Sequence, residues 1–480
     1  MNNTKEKVSL RQWLVFIFVG LAGQFAWSIE NMYLNSYLYY LNMNAQAGQG
    51  FNSSLMVALT TALSAITATV TTIFMGSLTD KVRKRKIFIS LGYILWGIAT
   101  ASFGLLDVGN AQSIVPISMA ASTAAILVIV IDCVMTFLGS TANDAAFNSY
   151  VTKNVRDENR GKVEGVLSIL PLVAMLIIFV ALNGLTANGQ WDLFFYVVGA
   201  IVILVGIVSF FLIPKEKPEK PSDEKFLPIL AEGFRPSTVK ANKSLYLVLL
   251  CYFVYGVAIQ VFFPYLMVYV ERTVSVPNSG SSFLTPFAIV MAVALLLGSA
   301  GSVLIGFLSD KKGKIKMILP TCAILGLGLL MLFFAPDIAS DTGRYAYTAI
   351  AGLVMILGYV AVPTILNSLV RDYIPKGKEG SFMGVRMLFV VALPMCIGPF
   401  IGDALNQATG QTYVNEYDIV SALPSKFGYI AGLVLLLLIV VPYFFLARST
   451  RYEKNNGYLV ASLLKNGEEL PAIKRGKKHP

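Results

Sequence analysis

Long apolar runs separated by short polar segments dominate the chain. A run of about 20 apolar residues can cross a bilayer as a helix. Such runs predict twelve helices, over residues 13–41, 54–78, 87–107, 120–151, 161–187, 190–213, 244–271, 283–309, 315–336, 344–370, 380–408 and 426–447. A charged, proline-containing stretch separates the first six from the last six. We therefore predict an all-α membrane protein with two six-helix bundles (1–213 and 244–447), a linker (214–243) and a polar tail (448–480).

Short motifs recur in the two predicted bundles, as an internal duplication would produce. In the first, Asn148-Ser149-x-Val151 is matched by Asn367-Ser368-x-Val370. In the second, Gly76-x-x-x-Asp80-Lys81 is matched by Gly306-x-x-x-Asp310-Lys311. Two membrane-embedded halves built on one plan are typical of secondary transporters.

Composition agrees with a membrane location. The chain is 56% hydrophobic and only 14% charged, whereas soluble domains carry roughly 25% charged residues. The net charge of +11 comes from Lys and Arg residues concentrated in the termini, the linker and the loops on one side; Arg272, Arg344 and Lys426 lie on the other. The positive-inside rule then places both termini in the cytoplasm of a cell whose membrane the protein spans. This distribution explains the positive charge without a nucleic-acid partner.

Residues that commonly hold metals or cofactors are sparse. Cys133, Cys251, Cys322 and Cys396 lie singly in apolar runs, and the only histidine is His479, next to the C-terminus. We see no CxxC pair and no Walker motif. The sequence therefore predicts no metal site, no cofactor and no enzymatic activity, and an ion gradient as the energy source.

The repeated Gly-x-x-x-Asp-Lys motif is a candidate gate. Its aspartate can accept hydrogen bonds from a neighbouring helix N-terminus in one conformation and release them in another. The alternative is a solvated charged loop. The motif resembles the loop signature of the major facilitator superfamily, and the resemblance covers nearly the whole chain. The predicted gating residues are Asp80, Arg83, Asp310, Lys311, Glu164 and Arg386; the last two alternatively extend to the membrane interface.

The first predicted helix is unusually polar. Gln24, Ser28 and Asn31 share one face, Asn35 extends it, and Glu30 lies beside it. Polar groups at this depth are costly in lipid and should face a cavity or a partner helix. We predict that Gln24 and Asn31 bind a substrate, with Gln260 contributing from the second half.

Two aromatic residues of the same helix, Trp27 and Tyr33, offer flat rings able to stack on a sugar. Helix packing and an aromatic belt are the alternative reading of this segment.

The fourth predicted helix carries Asp144 and Asn148 on one face. The segment Asp144-x-x-Phe147-x-Ser149-x-Val151 resembles the helix 4 signature of the glycoside–pentoside–hexuronide:cation symporters, which include melibiose carriers. The first helix, with Phe25-Ala26 and Met32-Tyr33-Leu34, resembles theirs too. The resemblance implies that Asp144 helps bind sugar and cation, that a sugar-binding aspartate is replaced by Gln24, and that a stacking tryptophan is replaced by Asn148.

This chain departs from that family where the family binds sodium. Its paired helix 2 carboxylates would fall near Ala68 and Thr72, and a hard cation needs several oxygen ligands. We therefore expect coupling to protons rather than sodium, through Glu30 or Asp144.

These observations predict a monomeric symporter that imports a di- or oligosaccharide or a glycoside with a proton, by alternating access. Two alternatives remain open. One is an exporter of amphipathic compounds, although Val166 to Leu182 lack the Gly-Pro signature that such antiporters resemble. The other is a transporter-like sugar receptor, whose linker and tail would carry its output.

Overall fold

The structure is a computed structural model. It describes residues 8–46, 48–82, 84–155, 157–214, 233–278, 285–374 and 379–449. All residue-level statements below concern these ranges.

The described residues contain twelve helices long and apolar enough to cross a membrane, as predicted. These spans are α1 (Leu10–Met43), α2 (Ser53–Gly76), α3 (Arg85–Leu105), α4 (Ile117–Asn154), α5 (Ile169–Ala187), α6 (Trp191–Leu212), α7 (Lys243–Thr273), α8 (Pro286–Gly306), α9 (Lys314–Asp337), α10 (Asp341–Tyr373), α11 (Gly384–Thr409) and α12 (Phe427–Ser449). The helix of α2 continues to Val82 and that of α8 to Lys312, while that of α5 begins at Asp157. A short helix, Pro236–Ala241, precedes α7.

Local sequence explains several helix ends. Ser9 caps α1 in a capping box with Gln12, so backbone donors of the first turn are satisfied. Thr285 caps α8 by accepting from the Ala288 amide at 3.1 Å. The helix of α8 stops at Gly313, whose φ of 97° lies in the left-handed region that favours glycine.

Within the first half, α3 and α6 pack at very short range. A Cβ atom added to Gly97 would lie 2.7 Å from the Gly199 carbonyl oxygen. Glycine at these two positions is what lets the backbones approach so closely. Large apolar side chains such as Phe211 (73% exposed) and Leu204 (61% exposed) point outwards, as expected of a lipid-facing surface.

One small sheet interrupts the helical architecture. Between α11 and α12, β1 (Thr412–Val414) pairs antiparallel with β2 (Val420–Ala422), and Tyr413 lies opposite Ser421. The all-α prediction missed this hairpin. Its strands have only three residues each, so they carry no periodic sequence signal.

Hydrogen bonds between the halves lie mainly at one end of the molecule, which we call the distal end. It is opposite the first and last described residues, and α1 ends and α2 begins there. Asn406 Nδ2 donates to Ser54 Oγ at 3.0 Å, and Tyr265 Oη donates to the Ser54 carbonyl at 3.1 Å. The hairpin adds bonds from Asn415 to the carbonyls of Met43 (3.2 Å) and Ala45 (2.8 Å). These bonds hold the halves together at the distal end.

Candidate substrate and coupling site

Several membrane helices contain wider π-helical turns, and in α1 and α4 the turn carries an acid predicted to couple transport. In α1 the widened turn is Ile29–Tyr33 and contains Glu30; in α4 it is Ser140–Phe147 and contains Asp144. Such insertions change which side chains share a face, and they are frequent at functional sites. Both acids predicted to couple transport therefore lie on irregular helix segments.

A narrow cleft, with room for about one water molecule in this conformation, lies between the two halves, and we call it the central cleft. Helices α1, α2 and α4 contribute from the first half, and α7 and α11 from the second. Eight of its eleven lining residues are polar, and none is basic. The lining residues are Glu30, Asn31, Asn35, Thr60, Thr61, Ser64, Asp132, Gln260, Phe263, Pro264 and Met395. The wall of the cleft therefore carries several hydrogen-bond donors and acceptors, which a solute could reach once the cleft widens.

Two buried carboxylates border the central cleft, and we call them the acid pair: Glu30 of α1 (8% exposed) and Asp132 of α4 (0% exposed). The Ser64 hydroxyl donates to Glu30 Oε1. Thr136 Oγ1 lies 2.8 Å from Ser64 Oγ; because the Ser64 proton is already used, Thr136 is the donor in that bond. Glu30 Oε2 and both Asp132 oxygens accept no hydrogen bond from any described residue. Three buried acceptor atoms are thus left without donors.

Sequence reasoning missed Asp132, Ser64 and Thr136 as members of this site. Asp132 had a clear signal, because it interrupts the apolar segment Ala125 to Val134 with a charged group at membrane depth. The two hydroxyl residues had none, since Ser and Thr occur throughout these helices.

Three of the predicted site residues, Glu30, Asn31 and Gln260, do line the central cleft. Asn31 and Asn35 also donate to carbonyls four residues earlier, those of Trp27 (2.7 Å) and Asn31 (3.1 Å). Their amide oxygens remain able to accept hydrogen bonds from a solute.

The two aromatic residues predicted to bind the substrate lie away from the central cleft, and their role stays a prediction. Tyr33 is 1% exposed, and its ring packs 4.7 Å from that of Phe194 inside the first half. Trp27 packs edge-on against Trp96 at 5.0 Å, and neither ring lines the central cleft. The flat apolar surface there is Phe263, which stacks on Tyr359 at 5.0 Å with an interplanar angle of 11°. Phe263 is therefore the ring available to a solute.

Asp144 lies elsewhere on α4, about 18 Å along the helix axis from Asp132 at 1.5 Å per residue. It is half-buried and accepts a hydrogen bond from Asn143 Nδ2 at 3.2 Å. Asn143 in turn accepts from Tyr93 Oη at 2.9 Å. Asn148 is exposed and donates to the Asp144 carbonyl at 3.2 Å. Together with half-buried Gln24, these residues lie outside the central-cleft lining, so their substrate roles stay predictions.

The predicted gating residues are only partly described. Arg83 lies outside the described residues, as do the side chains of Asp80, Asp310 and Glu164. Lys311 is exposed at the end of the α8 helix. Arg386 donates to Asn367 Oδ1 at 3.2 Å, within its own half.

The glycines of the repeated motif make no close helix contact with a described residue. A Cβ atom added to Gly76 or Gly306 would have no described atom within 4 Å. In this conformation, therefore, the motif is not packed through its glycine against any described neighbour.

No metal cluster is formed by the residues that the structure describes: His, Cys, Asp and Glu nowhere form a group of three there. The four cysteines are free of disulfides. The charged groups of the central cleft are the acid pair alone.

Twelve membrane helices in two halves, closed around a polar cleft, define a multi-pass secondary-transporter fold. The chain belongs to the Major Facilitator Superfamily, since the family model of that description matches residues 13–399. It is 26% identical over 171 residues to the multidrug resistance protein MdtG of Yersinia enterocolitica, covering 35% of this chain and 38% of that relative. The match thus spans under half of the relative's length.

Solved structures resemble the chain over most of its length. A bacterial homolog of the human lysosomal transporter Spinster, in an inward-facing and occupied conformation, has a TM-score of 0.65 at 15% identity, covering 92% of this chain and 98% of that one. A point mutant of the nucleoside transporter NupG has a TM-score of 0.65 at 12% identity, and the match covers 92% of this chain and 99% of that one. At such identities these likenesses establish the fold alone.

Proposed function

We propose that the protein is a proton-coupled symporter that imports a small, uncharged, hydroxyl-rich solute, of the di- or oligosaccharide or glycoside class. The observation that carries this proposal is the central cleft, which combines hydrogen-bonding side chains from both halves with buried, uncompensated acids. The resemblance of Asp144-x-x-Phe147-x-Ser149-x-Val151 to the glycoside–pentoside–hexuronide:cation symporters adds support.

The chemistry of the cleft wall favours a neutral solute. Amide groups of Asn31, Asn35 and Gln260 and hydroxyls of Thr60 and Thr61 offer both donors and acceptors. An anionic solute would find no basic lining residue to pair with. The Phe263 ring supplies the apolar face on which the CH groups of a sugar can rest.

The distal hydrogen bonds support alternating access. If the basic loops face the cytoplasm, as the positive-inside rule predicts, the distal end faces outwards. The structure would then be a state closed to the outside. Import requires those bonds to break so that the solute can enter, and to re-form before it leaves on the other side.

A screen followed by transport would test the proposal. Purified protein is heated with a panel of mono- and disaccharides, glycosides, nucleosides and the cationic dye ethidium, because a ligand that binds the native state raises Tm. The best sugar or glycoside is then supplied, radiolabelled, to proteoliposomes with an acidic exterior. We expect accumulation that a protonophore abolishes. Binding of ethidium alone, with no sugar or glycoside effect, would contradict the proposal.

The likeness to MdtG favours a second candidate, an exporter of amphipathic compounds. An acid pair beside a cleft would also suit a cationic compound. Dye extrusion from inverted vesicles, driven by a proton gradient, would support this candidate.

A further inference from the structure

The acid pair lies where three helices of the first half meet. Glu30 comes from the widened turn of α1, Asp132 and Thr136 from α4, and Ser64 from α2. The two carboxylates border the same cleft, and one hydroxyl chain, from Thr136 through Ser64, ends on Glu30. Any change in the charge of the pair therefore acts on all three helices.

None of the described residues that line the central cleft carries a positive charge that could offset the two acids. Among the described residues, two other titratable groups lie close enough to interact electrostatically with the pair, namely Asp144 and Cys133. Neither can carry a positive charge. Two carboxylates that share one desolvated site do not both remain ionised, because each disfavours the charge of the other.

The occupant that fits the pair is a proton rather than a metal ion. Glu30 Oε2 and both Asp132 oxygens are inaccessible to water and lack donors. A proton held by one of the two carboxyls removes one of the two negative charges that this site would otherwise bury. A sodium ion would need several further oxygen ligands, whereas a proton needs only one carboxylate oxygen.

We propose that Glu30 and Asp132 share one proton, and that this is the proton coupled to solute transport. The coupling role rests on the proposed function; the shared proton does not. Asn31 and Asn35, the polar solute-facing residues of the same helix, lie one and five positions from Glu30. A solute bound by these amides would contact the same helical turn that carries Glu30. Solute binding and protonation would therefore both change the position of this one segment.

Infrared spectroscopy of the full chain in nanodiscs tests the shared proton without a solute. A protonated carboxyl group has a carbonyl band, shifted in D₂O, distinct from carboxylate and amide bands. The spectrum of the double variant Glu30→Gln/Asp132→Asn is subtracted from that of the wild type at neutral pH. We expect a band equal to one carboxyl group per chain. Subtracting Asp337→Asn, an exposed acid paired with Lys426 at 2.8 Å, should leave none.

Other outcomes of this experiment would contradict the proposal of a shared proton. One such outcome is a band that corresponds to two carboxyl groups, and another is the absence of any band. Disappearance of the band when choline chloride is replaced by sodium chloride would identify a sodium site instead. If the double variant does not fold, the single variant Asp132→Asn takes its place, and its Tm shows whether it is folded. Its spectrum must still differ from that of the wild type in the carboxyl band.

Transport tests the coupling role separately. Each pH unit across the membrane sustains about tenfold accumulation for one proton per solute. Proteoliposomes that contain the wild type should accumulate the sugar or glycoside from the thermal screen to this ratio. Those that contain Asp132→Asn should not accumulate it, although they should still exchange solute across the membrane in the absence of a gradient. Equal accumulation by both would refute coupling. If the wild type moves no solute, the proposed function fails while the infrared result still stands.

Discussion

The distal hairpin connects the two halves through hydrogen bonds of Asn415. We predict that breaking these bonds increases the fraction of molecules whose distal end is open. Asn415 Nδ2 donates to the carbonyls of Ala45 (2.8 Å) and Met43 (3.2 Å) in the first half. Its Oδ1 accepts from the amides of Tyr417 (2.9 Å) and Ile419 (3.0 Å), which shapes the hairpin turn. Asn415→Asp keeps the acceptor that shapes the turn but replaces the donor with an oxygen facing two carbonyls.

The expected effect follows from the bonds lost. A neutral hydrogen bond contributes about 0.5–1.5 kcal/mol net, so losing two costs the closed state about 1–3 kcal/mol. That corresponds to about a 5- to 150-fold shift in the ratio of distal-closed to distal-open molecules. Repulsion between the new carboxylate and the carbonyls adds to it. The remaining distal bonds, such as that from Asn406 to Ser54, should limit the change.

Distances between spin labels would measure this shift. Labels at Ser113 and Ala339, in distal loops of opposite halves, report the opening when the native cysteines are replaced by alanine. We expect Asn415→Asp to add a longer-distance population. Asn110→Asp is the matched control, because it introduces the same charge at the distal end while the Asn110 side chain, among the described residues, bonds to Leu105 and Asp107 of its own half. An unchanged distance distribution in Asn415→Asp would refute the role of the hairpin.

Three further variants test the site and the gate. Gln260→Ala should raise the solute Kd about two- to tenfold, since one neutral hydrogen bond is lost; an unchanged Kd by calorimetry would exclude Gln260 from the binding site. Asp144→Asn should weaken solute binding by about ten- to a hundredfold, the loss of one charge-assisted bond, yet still accumulate solute under a proton gradient. Loss of accumulation with intact binding would instead assign the coupling role to Asp144. Asp80→Asn should slow transport in proteoliposomes while leaving the solute Kd unchanged; a parallel loss of both would show that Asp80 is not a gating residue.

The membrane helices could be predicted from the sequence because lipid demands long apolar runs and allows few exceptions. The hairpin could not be recognised that way, since Thr412–Val414 and Val420–Ala422 are too short to give a periodic signal. Their position follows from the contacts of the intervening turn with the first half.

Side-chain directions were harder to predict than helices. The shared face of Gln24, Ser28, Asn31 and Asn35 assumed a regular helix, whereas the π-helical turn Ile29–Tyr33 shifts the helical phase within it. Tyr33 consequently packs inside the first half. The placement of Glu30 and Asp132 beside one cleft depends on how α1, α2 and α4 cross, and the pattern of a single helix does not contain that information.

Solute-driven proton movement is the most direct test of the proposed function. The sugar or glycoside that raises Tm most is added to weakly buffered, sodium-free vesicles containing the protein, and the external pH is followed with an electrode. Symport of solute and proton predicts that the medium becomes more alkaline as solute enters, and that a protonophore abolishes the signal. Solute uptake that requires sodium, or that proceeds with no change in external pH, would contradict proton-coupled import.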